Sequence, residues 1–181
     1  MRTANKARIC DPLIAVFPAN LWVEPYEFVS DSGKPFSIAR CAPRFKKVGH
    51  DLKRNKPFVE CDGSKVYPEL AILSLLQKAE WDGRWVDDWP LPATFWRSQT
   101  EQCPLPNAAR LIYDRIIQVK NGKAGGCWDV LAWRSDQFLC IESKQPKEPL
   151  KKNQKDWLEA ATRLPQIVDE SRFIICEWIK D

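Results

Sequence analysis

Two acids and a lysine stand at the open end of one apolar stretch, WDVLAWRSDQFLCIESK, from Trp128 to Lys144. Arg134-Ser135-Asp136-Gln137 is its polar break, so a two-residue turn at Ser135-Asp136 is the simplest connection between two strands. That turn sets Trp133 opposite Phe138, Leu131 opposite Cys140 and Asp129 opposite Glu142, all on one face. Lys144 shares the face with Glu142, because strand side chains alternate with period two. Directly opposed side chains lie roughly 4.5–5.5 Å apart at Cβ, so two opposed carboxylates repel. A cation between them turns the liability into a site. Mg²⁺ is bound by one or two carboxylates, waters and substrate phosphate, and an adjacent lysine stabilises charge that develops on phosphate oxygens.

Two further polar residues lie on stripes that are otherwise apolar. In YPELAILSLLQKAEW, Pro68 suits the first turn of a helix and Ile72, Leu73, Leu76 and Ala79 form its buried face. Glu69 falls on that face. It either complements the helix dipole or turns a carboxylate toward the site. In EPLKKNQKDWLEAATRLP, the residues Leu150, Trp157, Leu158, Ala161 and Leu164 make one stripe, and Gln154 lies on it. A buried glutamine needs partners, either backbone groups or the reacting centre.

The elements that position these residues follow from periodicity. GRWVDDW (83–89) and RFIICEWI (172–179) read as strands, and NAARLIYDRIIQVK (107–120) as a helix with Asn107 as N-cap and Ala109, Ile112, Ile116 and Val119 buried. Asn121-Gly122 ends that helix. The Pro-punctuated stretch before it is too long for a simple loop and reads as part of an insertion at about 90–124. From Tyr67 the order is helix, strand, insertion, strand, strand, helix, strand, which is a mixed α/β sheet layered with helices. Residues 1–65 hold short runs broken by Pro and Gly, and are expected to form an N-terminal extension or a small strand-and-loop subdomain beside a core at 66–181.

The segment GGCWDVLAW, the turn, and FLCIESKQPKEPLKKNQKDWLEAA together resemble the core of PD-(D/E)XK nucleases, and are similar in particular to the VRR-NUC branch. That branch shows a Gly-Gly-x-Pro-Asp entry, an apolar strand, Glu-x-Lys, a polar loop with a basic segment, and Gln-x-x-Trp-Leu on a helix. Here the matching residues are Gly125-Gly126, Asp129, Glu142-Ser143-Lys144 and Gln154 through Trp157-Leu158. The likeness spans about residues 67–179. Trp128 replaces the proline, Gln145 stands where glycine is common, and the basic pair that names the branch is not evident.

The resemblance implies an α/β, restriction-endonuclease-like core with a mixed central sheet flanked by helices. It implies that Asp129 and Glu142 bind Mg²⁺ or Mn²⁺ with the backbone carbonyl of Ser143, and that Glu69 completes the site, with Glu80 as the alternative acid. Lys144 would orient the attacking water or stabilise the phosphate, and Gln154 would position either. The implied reaction is phosphodiester hydrolysis on DNA, with branched, flap or junction substrates favoured by the branch. The alternative is a DNA-binding module on the same fold that does no chemistry.

Charge distribution fits a nucleic-acid partner. The chain has 181 residues and a net charge of +4, and Arg40 to Lys56 holds seven basic residues against one Asp. Such a run is either a solvated face or a phosphate contact, the latter through Arg44, Lys46 and Lys47. Lys147, Lys151, Lys152 and Lys155 lie just beyond the proposed site, where a phosphate backbone would run. Nine tryptophans exceed ordinary packing needs, and Trp85, Trp89 and Trp96 suggest a homodimer interface or stacking on bases. Seven scattered cysteines without a CxxC fit a cytoplasmic chain, and Cys10, Cys41, His50 and Cys61 match no common zinc module. No apolar run reaches the roughly 18 residues that span a membrane, and the N-terminus shows no convincing cleavage site.

Overall fold

The apolar runs Val130–Arg134, Gln137–Lys144 and Phe173–Glu177 become strands buried on both faces. The computed structural model describes residues 16–88, 92–164 and 170–180. In chain order its elements are β1 (Trp22–Val29), β2 (Pro35–Cys41), β3 (Arg44–Phe45), β4 (Lys47–Asp51), β5 (Lys56–Cys61), β6 (Ser64–Val66), helix α1 (Pro68–Lys78), β7 (Asp82–Asp87) and β8 (Thr94–Trp96). Helix α2 (Asn107–Val119) then leads to β9 (Val130–Arg134), β10 (Gln137–Lys144), helix α3 (Lys152–Ala161), β11 (Phe173–Glu177) and β12 (Ile179–Lys180).

Seven strands form one mixed sheet in the order β1-β2-β11-β10-β9-β7-β8. The fold is α/β. Strand β10 lies at its centre, antiparallel to β9 and parallel to β11. Its side chains alternate between two cores. Phe138 and Cys140, with Leu131 of β9, pack toward α2 and α3 against Ile116, Trp157 and Leu158. Leu139 and Ile141, with Val130 and Ala132, pack toward Ile72, Leu73 and Leu76 of α1. Burial on both faces explains why β10 reads as a continuous apolar run.

The hairpin register is the one expected from the turn. Trp133 pairs with Phe138 and Leu131 with Cys140, and Ser135 takes a positive φ of 54° in the two-residue connection. Helix α2 starts one residue early, with Pro106 rather than Asn107 at the N-cap; the fixed φ of proline holds the chain extended as it enters the helix. Its most buried residues are Ala109, Tyr113 and Ile116, and Ile112 and Val119 are only half-buried. Tyr113 is drawn inward by aromatic packing on Phe95 and Trp157. The last strand is interrupted at Trp178, whose N–H donates to the carbonyl of Lys144, so β12 turns away to pair with β3.

The N-terminal region is partly continuous with the core. Strands β1 and β2 extend the central sheet, with β2 parallel to β11, while β4, β5 and β6 form a separate three-stranded sheet before α1. The insertion contributes β8 and α2. Trp85 is buried against Trp96 and Tyr67 rather than offered to a partner, and Trp89 lies outside the described residues, as does Cys10. No helix among the described residues is long and apolar enough to cross a membrane.

Candidate active site

Strand β10 ends in a cleft of about 400 Å³ whose floor is Asp129, Glu142, Lys144 and Gln154. Asp129 sits just before β9, and its carbonyl accepts from the Val86 N–H at 2.7 Å, which fixes the entry to the strand. Its Oδ2 accepts from the Ser143 N–H at 2.9 Å, so the acid is tied across the hairpin beside Glu142. Glu142 is 1% exposed and Lys144 is 3% exposed. The Lys144 ammonium lies 3.0 Å from Glu142 Oε1.

Gln154 completes this knot. It sits in the first turn of α3, and its Nε2 donates to Glu142 Oε1 at 2.5 Å while its Oε1 accepts from Lys144 Nζ at 3.1 Å. The same oxygen accepts from the Lys151 N–H at 2.9 Å, which caps the helix. One half-buried side chain thus bonds both the helix backbone and the two charged residues Glu142 and Lys144. Glu69 is brought in from the other face by the first turn of α1, buried and in the cleft wall. Glu80, at the far end of α1, lines a different hollow with Trp81 and Arg97.

Two cleft residues belong to the basic run at 40–56, and nothing in the sequence sets them apart from its other members. Lys56 opens β5, and its ammonium meets Glu69 Oε1 at 2.8 Å over the ring of Trp85. Arg54, in the turn before it, pairs with Asp87 at 2.5 Å and also faces Trp85. Glu148 is a third addition, accepting from Lys144 Nζ at 3.3 Å. Of the basic residues expected to meet phosphate, Lys151 lines the cleft. Lys147 is exposed in the loop beyond β10, with its N–H on Glu177. Lys152 pairs with Asp31 and Asp156, and Lys155 lies over Phe28, so both turn toward the β1–β2 region. Lys46 pairs with Glu60, and exposed Arg44 and Lys47 lie on β3 and β4.

Electrostatics here are dominated by burial. Burial and the neighbouring Glu69 carboxylate push the Asp129 carboxyl up to about 6, against the pull of Lys56, the Ser143 N–H and Lys144. Glu142 is driven well above the ordinary carboxylate range by burial and by Asp129, with Lys144 opposing. Burial disfavours the Lys144 ammonium, yet Glu142 outweighs it and holds its pKa above the usual lysine value. Lys56 follows the same pattern, burial opposed by Glu69 and Asp129 with a net rise.

This predicts how the ion-free protein responds to pH. A carboxyl whose folded pKa is raised stabilises the fold only while protonated, so that stability is present below about pH 4 and lost as pH rises through about 6. Each pKa unit is worth about 1.4 kcal/mol, which sets a ceiling of about 3 kcal/mol for Asp129. Exposed Asp31 and Asp62 and half-buried Asp51 are shifted down, and act below this window. Thermal unfolding midpoints in chelator should fall between about pH 4 and 6.5. A midpoint that climbs over that range would mean that Lys56 and Lys144 more than neutralise the acids.

The donor set suits a hard divalent cation. Glu142 Oε2 and Glu69 Oε2 are buried without a hydrogen-bond partner, an arrangement that costs stability unless a cation meets them. As the side chains lie, no three His, Cys, Asp or Glu residues among the described ones are gathered into an ion cage. Comparison with protein-family models, curated proteins and solved structures finds no match.

Proposed function

We propose that the chain is a metal-dependent nuclease of the PD-(D/E)XK type, with a restriction-endonuclease-like core and DNA as substrate. The observation that carries this is half-buried Asp129, bonded across the open end of the hairpin to the Ser143 N–H, beside buried Glu142, which is tied to Lys144 and Gln154 through its Oε1. A hairpin that needed only stability would place apolar residues there.

Asp129, Glu142 and Glu69 would hold Mg²⁺ or Mn²⁺, together with the Ser143 carbonyl. When bound, the ion supplies charge neutralisation at the phosphate and a more acidic water. Lys144 keeps its proton and offers a fixed positive charge where the pentavalent phosphate gains negative charge. Gln154 holds Glu142 and Lys144 in one geometry. Arg54, Lys56 and Lys151 give the cleft wall a positive rim for the phosphate backbone.

The test is a cleavage assay on labelled duplex, single-stranded, flap and four-way-junction DNA with Mg²⁺ or Mn²⁺, beside Lys144→Ala. Cutting that needs the ion and drops by about a hundredfold or more in the variant supports the reading. Binding without cutting under every condition would make the chain a DNA-binding module instead.

A further inference from the structure

The cleft holds two ammonium groups, and they are anchored differently. Lys144 Nζ is within hydrogen-bonding reach of Glu142 Oε1, Gln154 Oε1 and Glu148 Oε1, at 3.0, 3.1 and 3.3 Å. It makes two hydrogen bonds and one close ion pair, and it is 3% exposed. The Lys56 ammonium meets Glu69 Oε1 at 2.8 Å, and its side chain remains 32% exposed. Its backbone begins β5 directly after the turn at 52–55, where Leu52 is 88% exposed and Asn55 takes a φ of 51°. Lys144 is built in, whereas Lys56 reaches in from a solvent-facing hairpin.

Charge balance separates their roles as well. Glu69, Asp129 and Glu142 carry three negative charges when ionised. Lys144 and one divalent ion match these three without Lys56, while Glu148, which also lines the cleft and pairs with Lys144, is 41% exposed and screened by solvent. The unpartnered Oε2 of Glu69 sits on the carboxylate that Lys56 holds through Oε1, so an ion taking Glu69 competes with the lysine for the same group.

We propose that Lys56 is a placeholder cation, which steadies the carboxylate cluster in the ion-free protein and is displaced from Glu69 when a divalent ion binds. This rests on the metal-binding reading above and adds to it the residue that sets the ion's affinity. The exchange links ion binding to the β4–β5 hairpin, which forms one wall of the cleft through Arg54, Asn55, Lys56 and Pro57.

Calorimetric titration of Mn²⁺ into the full chain, without DNA, tests the exchange in the wild type, Lys56→Met and Lys56→Arg. Lys56→Met should bind Mn²⁺ about fivefold more tightly, the order expected from removing one competing, partly exposed ion pair. Lys56→Arg should bind as weakly as the wild type or more weakly. Equal or weaker binding by Lys56→Met overturns the proposal and leaves the nuclease reading standing. Absence of Mn²⁺ binding in every form overturns both. If Lys56→Met does not fold, acetylation of wild-type lysines, read by peptide mass spectrometry, decides. Lys56 should label severalfold faster with Mn²⁺ than in chelator, and an unchanged rate refutes displacement.

Discussion

Asp129→Asn should abolish ion-dependent DNA cleavage, by about a thousandfold or more, and should make the ion-free protein more stable. The two effects have one cause. Asparagine is nearly the same shape, and its carbonyl oxygen can still accept from the Ser143 N–H that now binds Asp129 Oδ2 at 2.9 Å. What disappears is a half-buried carboxyl beside Glu69 and Glu142 whose pKa is pushed up to about 6, so that its negative charge is costly above that pH. The new amide also brings a donor next to Glu142, whose Oε2 lacks a partner. Relief of about 1–3 kcal/mol follows from a shift of this size, shared with the coupled Glu142. In a chain of this length each kcal/mol moves the midpoint by about 2–4 °C. Wild-type protein should gain stability on adding Mn²⁺ and the variant should gain much less, because the ion has lost a ligand. Cleavage assays and melting curves in chelator and in Mn²⁺ check all of this. Full activity in the variant would remove Asp129 from the site. A lower midpoint in chelator would show that Lys56 and Lys144 already stabilise the charge.

The hairpin was legible because its information is local. A single polar break, alternating faces and a two-residue turn leave one register, and the structure adopts it from Val130 to Ile141. The helices were legible for a similar reason, since Glu69 and Gln154 interrupt apolar stripes with a polar group that must find partners. The wall of the cleft was hidden. Lys56 lies far from Asp129 in sequence, at the end of a basic run in which nothing distinguishes it from Lys46 or Lys47. Only the packing of β5 against α1 sets its ammonium on Glu69. The parallel pairing of β2 with β11 joins the two ends of the chain, and neither strand carries a mark that names its neighbour. Period and turn chemistry specify which face a residue occupies. Non-local contacts decide what meets it there.

The glycine pair before Asp129 offers the second large effect, because the two positions differ in what surrounds them. Gly126 has a φ of +75°, and a Cβ there would lie 2.3 Å from the Asn153 carbonyl oxygen and 2.5 Å from its carbon. Both are backbone atoms in the first turn of α3, next to Gln154, so no side chain can swing aside. Gly125 has a φ of +90°, and a Cβ there meets nothing within 4 Å. Gly125→Ala should therefore cost only the strain of a left-handed alanine, about 1–2 kcal/mol. Gly126→Ala adds displacement of the helix start and should cost about 3 kcal/mol or more, a drop of roughly 6–12 °C. The displacement falls on the knot that orders the site. Gln154 donates to Glu142 and accepts from Lys144, and its carbonyl accepts from Trp128 Nε1 at 3.1 Å, so moving α3 loosens both charged residues at once. At a temperature where both variants are folded, Gly126→Ala should lose about a hundredfold in cleavage rate, and Gly125→Ala should stay near the wild type. Equal losses would assign the effect to general strain in the Gly-Gly turn. A stable but inactive Gly126→Ala would place the requirement in the geometry of Gln154 alone.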